Sequence, residues 1–507
     1  MAGDAPTAAG NRRCPPTPIQ RPLILRRQTL QAPEAKNGRS PEQPQEERIV
    51  LDVWLADYPF PTYDGRDFLA PLRERAAEFE RAHPRYRVDI SGHDFWTVPE
   101  KVARAAAEGR PPHIAGYYAT DSQLARDARR PDGTPVFTSV EAALAGRTEI
   151  LGHPVVVEDL DPVVRDSYSF GGELVSLPLT VTTMLCYANS TLLGRAGVPE
   201  LPRTWDEIEA ACEAVAGVDG GPGHGITWAN DGWVFQQAVA LQNGLLTDQD
   251  NGRSGSATTV NVTSDEMLDW VRWWMHLHER GHYLYTGGPS DWGGAFEAFV
   301  QQRVAFTFDS SKAARELIQA GAQAGFEVAV FPLPRNAKAP VAGQPVSGDS
   351  LWLAAGLDET TQDGLLALTQ YLISPANAAD WHRTNGFVPV TGAAGELLEA
   401  TGWFDRRPQQ RVAGEQLKAS DRSPAALGAL LGEFAAVNEV ITAAMDEVLR
   451  SGADPGKAFA EAGVAAQQLL DAYNARNRSG SGRCRHRAVA GRPRRLRRRP
   501  SRGPLHC

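Results

Sequence analysis

The chain has 507 residues, 52 Lys plus Arg against 61 Asp plus Glu, and a formal net charge of −9. That length exceeds one ordinary hydrophobic core and predicts two lobes plus tails. The acidic balance argues against nucleic acid as the main ligand, and no run approaches the roughly 18 apolar residues of a membrane span. The five cysteines (Cys14, Cys186, Cys212, Cys484, Cys507) have no CxxC or Cys/His spacing, which argues against a structural metal.

Residues 1–47 hold eight prolines and no long apolar run, the composition of a disordered leader. They carry no secretory-signal pattern, and Cys14 follows Asn-Arg-Arg rather than the small, apolar setting of a lipoprotein cysteine. Order is predicted from Arg48. Ile49–Trp54 reads as a buried strand, Phe68–Arg81 as an amphipathic helix with Leu69, Leu72, Ala76 and Phe79 on one face, and His83–Ile90 as a second strand. This β-α-β opening predicts a parallel sheet, with ligands held beyond the carboxyl ends of its strands. Pro99–Glu108 reads as a helix and Pro111–Tyr118 as a third strand. The β-branched run Ser176–Asn189 reads as one strand, followed by a short helix stopped at Pro199 and by a helix capped at Thr204 with Glu207 at its third position. Farther on, Ser264 is placed to cap a helix whose Trp270, Trp273 and Trp274 face a core. Phe296–Arg303 is a helix leading into the strand Val304–Phe308 and the turn Asp309–Ser311. The last stretch, Arg478–Cys507, carries eleven Arg and no Asp or Glu, which leaves about −20 over residues 1–477.

In this order the segments resemble the extracellular solute-binding proteins of ABC importers, in the branch that includes maltose- and glycerol-3-phosphate-binding members. The resemblance rests on Trp54 closing the first strand, on His83-Pro-Arg-Tyr-Arg-Val88 and Gly109-Arg-Pro-Pro-His-Ile114 before the next two, on Ser347–Leu353, and on Trp381–Thr391. It covers about residues 48–475. Gln302 departs from it, standing where the family usually has Gly. The resemblance implies an α/β, two-lobe periplasmic-binding-protein fold of type II, maltose-binding-like, with an interlobe cleft and hinge strands. The expected division is a leader at 1–47, one lobe from 48–187 plus 304–356, a second from 188–303 plus 357–476, and a disordered Arg-rich tail at 477–507.

A sugar or polyol has C–H faces and hydroxyl edges, so its site needs aromatic planes and fixed polar groups largely closed to water. Trp228, Asn230 and Trp233 lie in a Gly-punctuated loop; Asn230 and Trp233 fall where the glycerol-3-phosphate-binding branch has its two cleft tryptophans. Asp57 and Tyr58 follow the first strand. Asp94, Phe95 and Trp96 follow the second, where the same branch has a ligand-contacting Tyr. Thr182 and Thr183 replace serines near the ligand, Ser310 and Ser311 sit at a helix start, Gly348 and Asp349 lie where backbone meets ligand, and Phe387 replaces a Tyr. Each has a plainer reading as core, cap or turn. No Arg is in register near Gly414-Glu415, where the resemblance implies a phosphate-binding one.

The resulting expectation is a non-catalytic importer component that captures a carbohydrate or polyol by lobe closure. A neutral oligosaccharide is favoured over glycerol 3-phosphate or a glycerophosphodiester. No cofactor, metal or nucleic acid is expected; the partners are ABC permease subunits, the state is monomeric, and the family location is extracellular, membrane-associated or periplasmic. Two rivals stay open. Asp94, Asp231 and Asp349 are candidate paired carboxylates of a glycosidase-like enzyme, and the basic tail is a candidate element of an intracellular interaction protein. His276, His278 and His282 are assigned to helix-end solvation rather than metal.

Overall fold

The computed structural model describes residues 48–485, with side-chain surroundings through residue 478; the leader and the end of the Arg-rich tail lie outside the described residues. Ten strands build two main sheets: β1 (Ile49–Asp57), β2 (Tyr86–Asp94), β3 (Ile114–Tyr118), β4 (Phe137–Thr138), β5 (Leu177–Pro178), β6 (Met184–Asn189), β7 (Ile226–Thr227), β8 (Phe306–Ser310), β9 (Val328–Pro332) and β10 (Asp349–Ala354).

Leu51, Val53 and Leu55 are buried at every second position of β1. That alternation turns one sheet face toward Leu69, Leu72 and Phe79, on and just before the helix Ala70–Ala82. β2 and β3 run parallel to β1, and β10 joins β3 antiparallel, with β4 and β5 both on β10. The register sets Asp57 opposite Asp94, and Tyr118 opposite Asp349. The carboxyl ends of β1, β2 and β3 and the start of β10 therefore share one edge, where parallel sheets bind ligands.

The second sheet has the order β7-β8-β6-β9. All six residues of β6 are buried because the sheet is covered on both faces. Leu185 and Tyr187 join one core with Leu317, Val328 and Val330; Met184, Cys186 and Ala188 join the other with Phe306, Phe308 and the tryptophan cluster. The expected helix starts are present. Thr204 and Glu207 form a reciprocal capping box, and the Ser264 side chain accepts from Met267 N. The helix Trp292–Val300 ends in a Schellman turn, with Gln302 N donating to Phe299 O and Arg303 N to Ala298 O at 2.9 Å each. Gln302 stands there with φ of 56°, the left-handed conformation that glycine adopts without steric cost.

Three expectations require correction. The run Ser176–Asn189 is not one strand: β5 belongs to the first sheet and β6 to the second, so its middle is itself a crossing between lobes. Extended polar residues at 180–183 read locally like any strand, and only the partner sheets reveal the break. The expected lobe boundary at 304 does not follow the sheets either. β8 and β9 pair with β6 in the second sheet, and the helix Glu359–Leu372 is tied to the opening helix and to β2, Tyr371 donating to Glu78 at 2.8 Å and Tyr86 to Thr360 O at 3.0 Å. Non-local pairing decides such membership. Finally, the last helix runs Pro455–Arg485, past the expected onset of disorder at 477. Each added residue there closes one more backbone bond, and no proline intervenes until Pro493.

Candidate ligand-binding cleft

The chain crosses between the sheets at 179–183 and at 333–348, and it passes from one core to the other between Leu417 and Ala429. The first two crossings are tied together: Thr182 N donates to Ser347 O at 2.8 Å, and Ser347 N to Thr182 O at 2.9 Å. Gly348 follows with φ of 124°, and a Cβ there would lie 1.9 Å from Thr180 O. Glycine is required because two chain segments touch backbone to backbone.

Asp349, 5% exposed, opens β10 under the edge. Its Oδ2 accepts from the Tyr58 hydroxyl at 2.7 Å and from Thr180 Oγ1 at 3.2 Å, while its Oδ1 is buried without a hydrogen-bond partner. Burial pushes this carboxyl up to about 6, against the two donors that lower it. Tyr118 stands next to it with its phenol against Ser347, and the Tyr168 hydroxyl donates to Gly348 O at 3.2 Å. Phe95 packs on Tyr58 and Tyr118 at 5.1 Å between ring centres. One turn beyond β3, Asp121 is pushed up to about 7, first by burial and then by the charges of Asp349 and Glu433.

The second lobe supplies the other wall through the helix Gly232–Ala240. Asp231 caps it, accepting from Trp233 N at 2.9 Å. This first turn holds the Trp233 indole half-buried, 5.7 Å from the ring of Trp292 and with Nε1 donating to Ser347 Oγ at 2.5 Å. Gln237 of the same helix donates to Pro345 O at 3.1 Å and accepts from Gln344 at 3.0 Å, pinning the crossing to this lobe. A pocket of about 410 Å³, including its open mouth, is lined from both sides by Thr120, Tyr168, Gln236, Arg253, Ser347 and Phe434. A slightly larger one, about 470 Å³, lies among Leu72, Leu179, Ile373, Trp381 and Val390. Arg75, Asp380 and Thr384 also line it, and none of its lining comes from the helix Gly232–Ala240 or from the crossing at 333–348.

The match to known proteins agrees with this geometry. Residues 74–409 match the family model of the bacterial extracellular solute-binding protein. The chain belongs to that family. Among relatives of this solute-binding protein, the sn-glycerol-3-phosphate-binding periplasmic protein UgpB of Salmonella typhimurium is 25% identical over 311 residues, 61% of this chain and 70% of the relative. UgpB of Mycobacterium tuberculosis, solved in complex with glycerophosphocholine, superposes with a TM-score of 0.62 at 20% identity over 80% of this chain and 95% of its own. The GacH receptor of Streptomyces glaucescens, solved unliganded and with acarbose, gives 0.60 at 20% identity over 84% and 99%. The fold is thus the two-lobe, maltose-binding-like one that such solute-binding proteins share.

The structure sorts the residues singled out from the sequence. Trp233, Gly348 and Asp349 converge, with Phe95 behind Tyr58 and Thr182 in the hinge ladder. Asp57 and Asp94 face each other at the exposed end of β1 and β2, Asp94 also accepting from Trp96 N; Trp96 is 75% exposed. Two candidates are buried in cores and two act as local braces. Trp228 is fully buried, parallel to Phe308 at 4.7 Å and to Trp273 at 5.7 Å, so it is core. Phe387 is stacked on Trp381 at 5.8 Å inside the first lobe. Ser310 caps the turn after β8, accepting from Lys312 N at 3.2 Å. Asn230 is 1% exposed and donates to Thr442 O at 3.0 Å, a brace for the loop before Trp233. Tyr118, Thr180 and Asp121 neighbour Asp349 and Trp292 neighbours Trp233, and none of the four stood out in the sequence. Strand-end position was the available signal for Tyr118, since the register carries Asp57, Asp94 and Tyr118 to one edge.

Proposed function

We propose that this solute-binding protein is the capture component of an ABC importer and takes a hydroxyl-rich carbohydrate or polyol by closing its lobes around it. One observation carries the reading: the Trp233 indole of the second lobe reaches Ser347 on the crossing, beside the Asp349, Tyr58 and Tyr118 group of the first. Aromatic faces and fixed oxygen acceptors from both lobes therefore meet at one place, which suits C–H faces and hydroxyl edges. Relatives whose structures hold acarbose, ribitol and glycerophosphocholine support a ligand of this kind. We divide the lobes at the crossings: 48–180 plus 349–418, and 184–332 plus 434–478.

A phosphate is disfavoured. Arg253 is the cation lining the pocket, and its donors go to the carbonyls of Leu427, Gly428, Asp166 and Ser167. A carbohydrate-cleaving role has less support than capture, because Asp94 and Asp231 both cap helical turns and Asp231 also accepts from Ser290 at 2.7 Å. Ligand binding shifts an open and closed equilibrium by its better affinity for the closed form, the form a permease would receive.

The test is a thermal-shift screen of the whole protein against mono- and oligosaccharides, polyols, glycerol 3-phosphate and glycerophosphodiesters. A ligand selective for the folded state raises Tm by mass action. Shifts with sugars or polyols are expected. Shifts confined to the phosphorylated compounds would reverse the ligand assignment.

A further inference from the structure

Asp349 carries a carboxylate oxygen, Oδ1, that no donor reaches, in a residue 5% exposed. Buried acceptors normally find partners, and an unmet one is a place where a ligand donor gains most. The ionisable groups that act on this carboxyl and its neighbour Asp121 are acidic or phenolic. Tyr58 and Thr180 donate to the other oxygen; Tyr118 and Tyr168 face the carboxyl from β3 and from the end of the helix Pro162–Ser167. Asp121 feels both Asp349 and Glu433, and Asp231 faces Tyr118 from the second lobe. The nearby cations are spent elsewhere, Arg253 on four carbonyls and Arg476 on Glu433. Among the described residues no Lys or Arg pairs with Asp349 or Asp121.

We propose that the cleft selects a hydroxyl-rich ligand bearing a protonated primary or secondary amine, whose N–H donates to Asp349 Oδ1 with Asp121 as the second carboxyl. This rests on the capture reading above and refines its ligand from neutral to cationic. An ammonium supplies a donor for the unmet oxygen and a charge opposite to Asp349, Asp121 and Glu433. The rings of Tyr58, Phe95 and Tyr118 add faces for the carbons beside the amine. A quaternary ammonium, having no N–H, leaves Oδ1 unmet.

The experiment is titration calorimetry of the full chain with matched pairs that differ only by amine for hydroxyl: 1-amino-1-deoxysorbitol against sorbitol, and glucosamine oligosaccharides against glucose ones. The amine member is expected to bind about tenfold tighter or better near neutral pH. Asp349→Asn should bring the ratio to about one, and Asp121→Asn should lower it several-fold; melting curves report whether each variant folds. Near pH 6, titrations in two buffers of different ionisation enthalpy should show proton release with the amine and none with the polyol, as the cation draws the Asp349 proton off. Equal or tighter binding of the hydroxyl member overturns the amine preference while leaving sugar or polyol capture standing. No binding by any member of either pair overturns both readings. A preference that survives both substitutions overturns the assignment to these carboxyls.

Discussion

The indole of Trp233 donates to the hydroxyl of Ser347 across 2.5 Å, and the two residues are 114 positions apart. Trp233 rides on a helix of the second lobe, whereas Ser347 precedes the Gly348-Asp349 step into the first sheet. The same pair thus couples lobe position to the wall of the site. A second bridge is made where the Tyr473 hydroxyl of the last helix donates to Asp127 at 2.8 Å.

Trp233→Ala should weaken the best binder of the sugar and polyol panel by 10- to 100-fold, about 2 kcal/mol, because it removes both a stacking plane and the bridge. Trp233→Phe keeps a plane and loses the N–H, so its cost should be about tenfold or less. Calorimetric Kd values for the two variants separate stacking from hydrogen bonding.

Trp228→Ala should act on folding instead. The residue fills a core among Trp270, Trp273, Trp274, Tyr283 and Phe308, and truncation leaves a large cavity worth about 3–5 kcal/mol. Urea unfolding should show a much lower midpoint for this variant, while Trp233→Ala stays within about 1 kcal/mol of the parent.

Gly348→Ala should lower Tm by several degrees, a loss of about 2–3 kcal/mol, since φ of 124° strains any L side chain and the new methyl meets Thr180 O. Opposite in sign, Gln302→Gly should stabilise by about 1 kcal/mol by relieving a left-handed Schellman position. Thermal melts of both variants check the pair.

Stability should depend on pH through the raised carboxyls. Asp349 at about 6 and Asp121 at about 7 hold protons that the unfolded chain releases near its ordinary value of about 4. Over the window from about 4 to 7 the folded state binds more protons, so these two groups favour folding at low pH and oppose it as pH rises. Buried His382, lowered to about 4, acts in the opposite direction below the usual imidazole value. The informative quantity is therefore a difference: Tm of Asp349→Asn minus Tm of the parent should grow as pH is raised from about 5 to 8, and Asp121→Asn should follow about one unit higher.

Much of the local structure could be read directly. The opening strand, helix and strand, the Thr204 capping box and the buried Trp270, Trp273 and Trp274 face all appear as their patterns predict. Local patterns were misleading where direction mattered. Trp228 and Phe387 sit in loop-like sequence, yet their rings turn inward because Phe308 and Trp381 await them. Periodicity cannot reveal this outside a regular element.

Residue order alone determined the chemistry available to this protein and the secondary structure that displays it, because caps and periodicity act within a few residues. Tertiary structure decided which groups meet. Tyr58 and Asp349 lie 291 positions apart and touch only because β1, β3 and β10 register side by side. Likewise, β8 and β9 lie in the second sheet because both edges of β6 needed backbone partners, and that demand is visible only once the strands are paired.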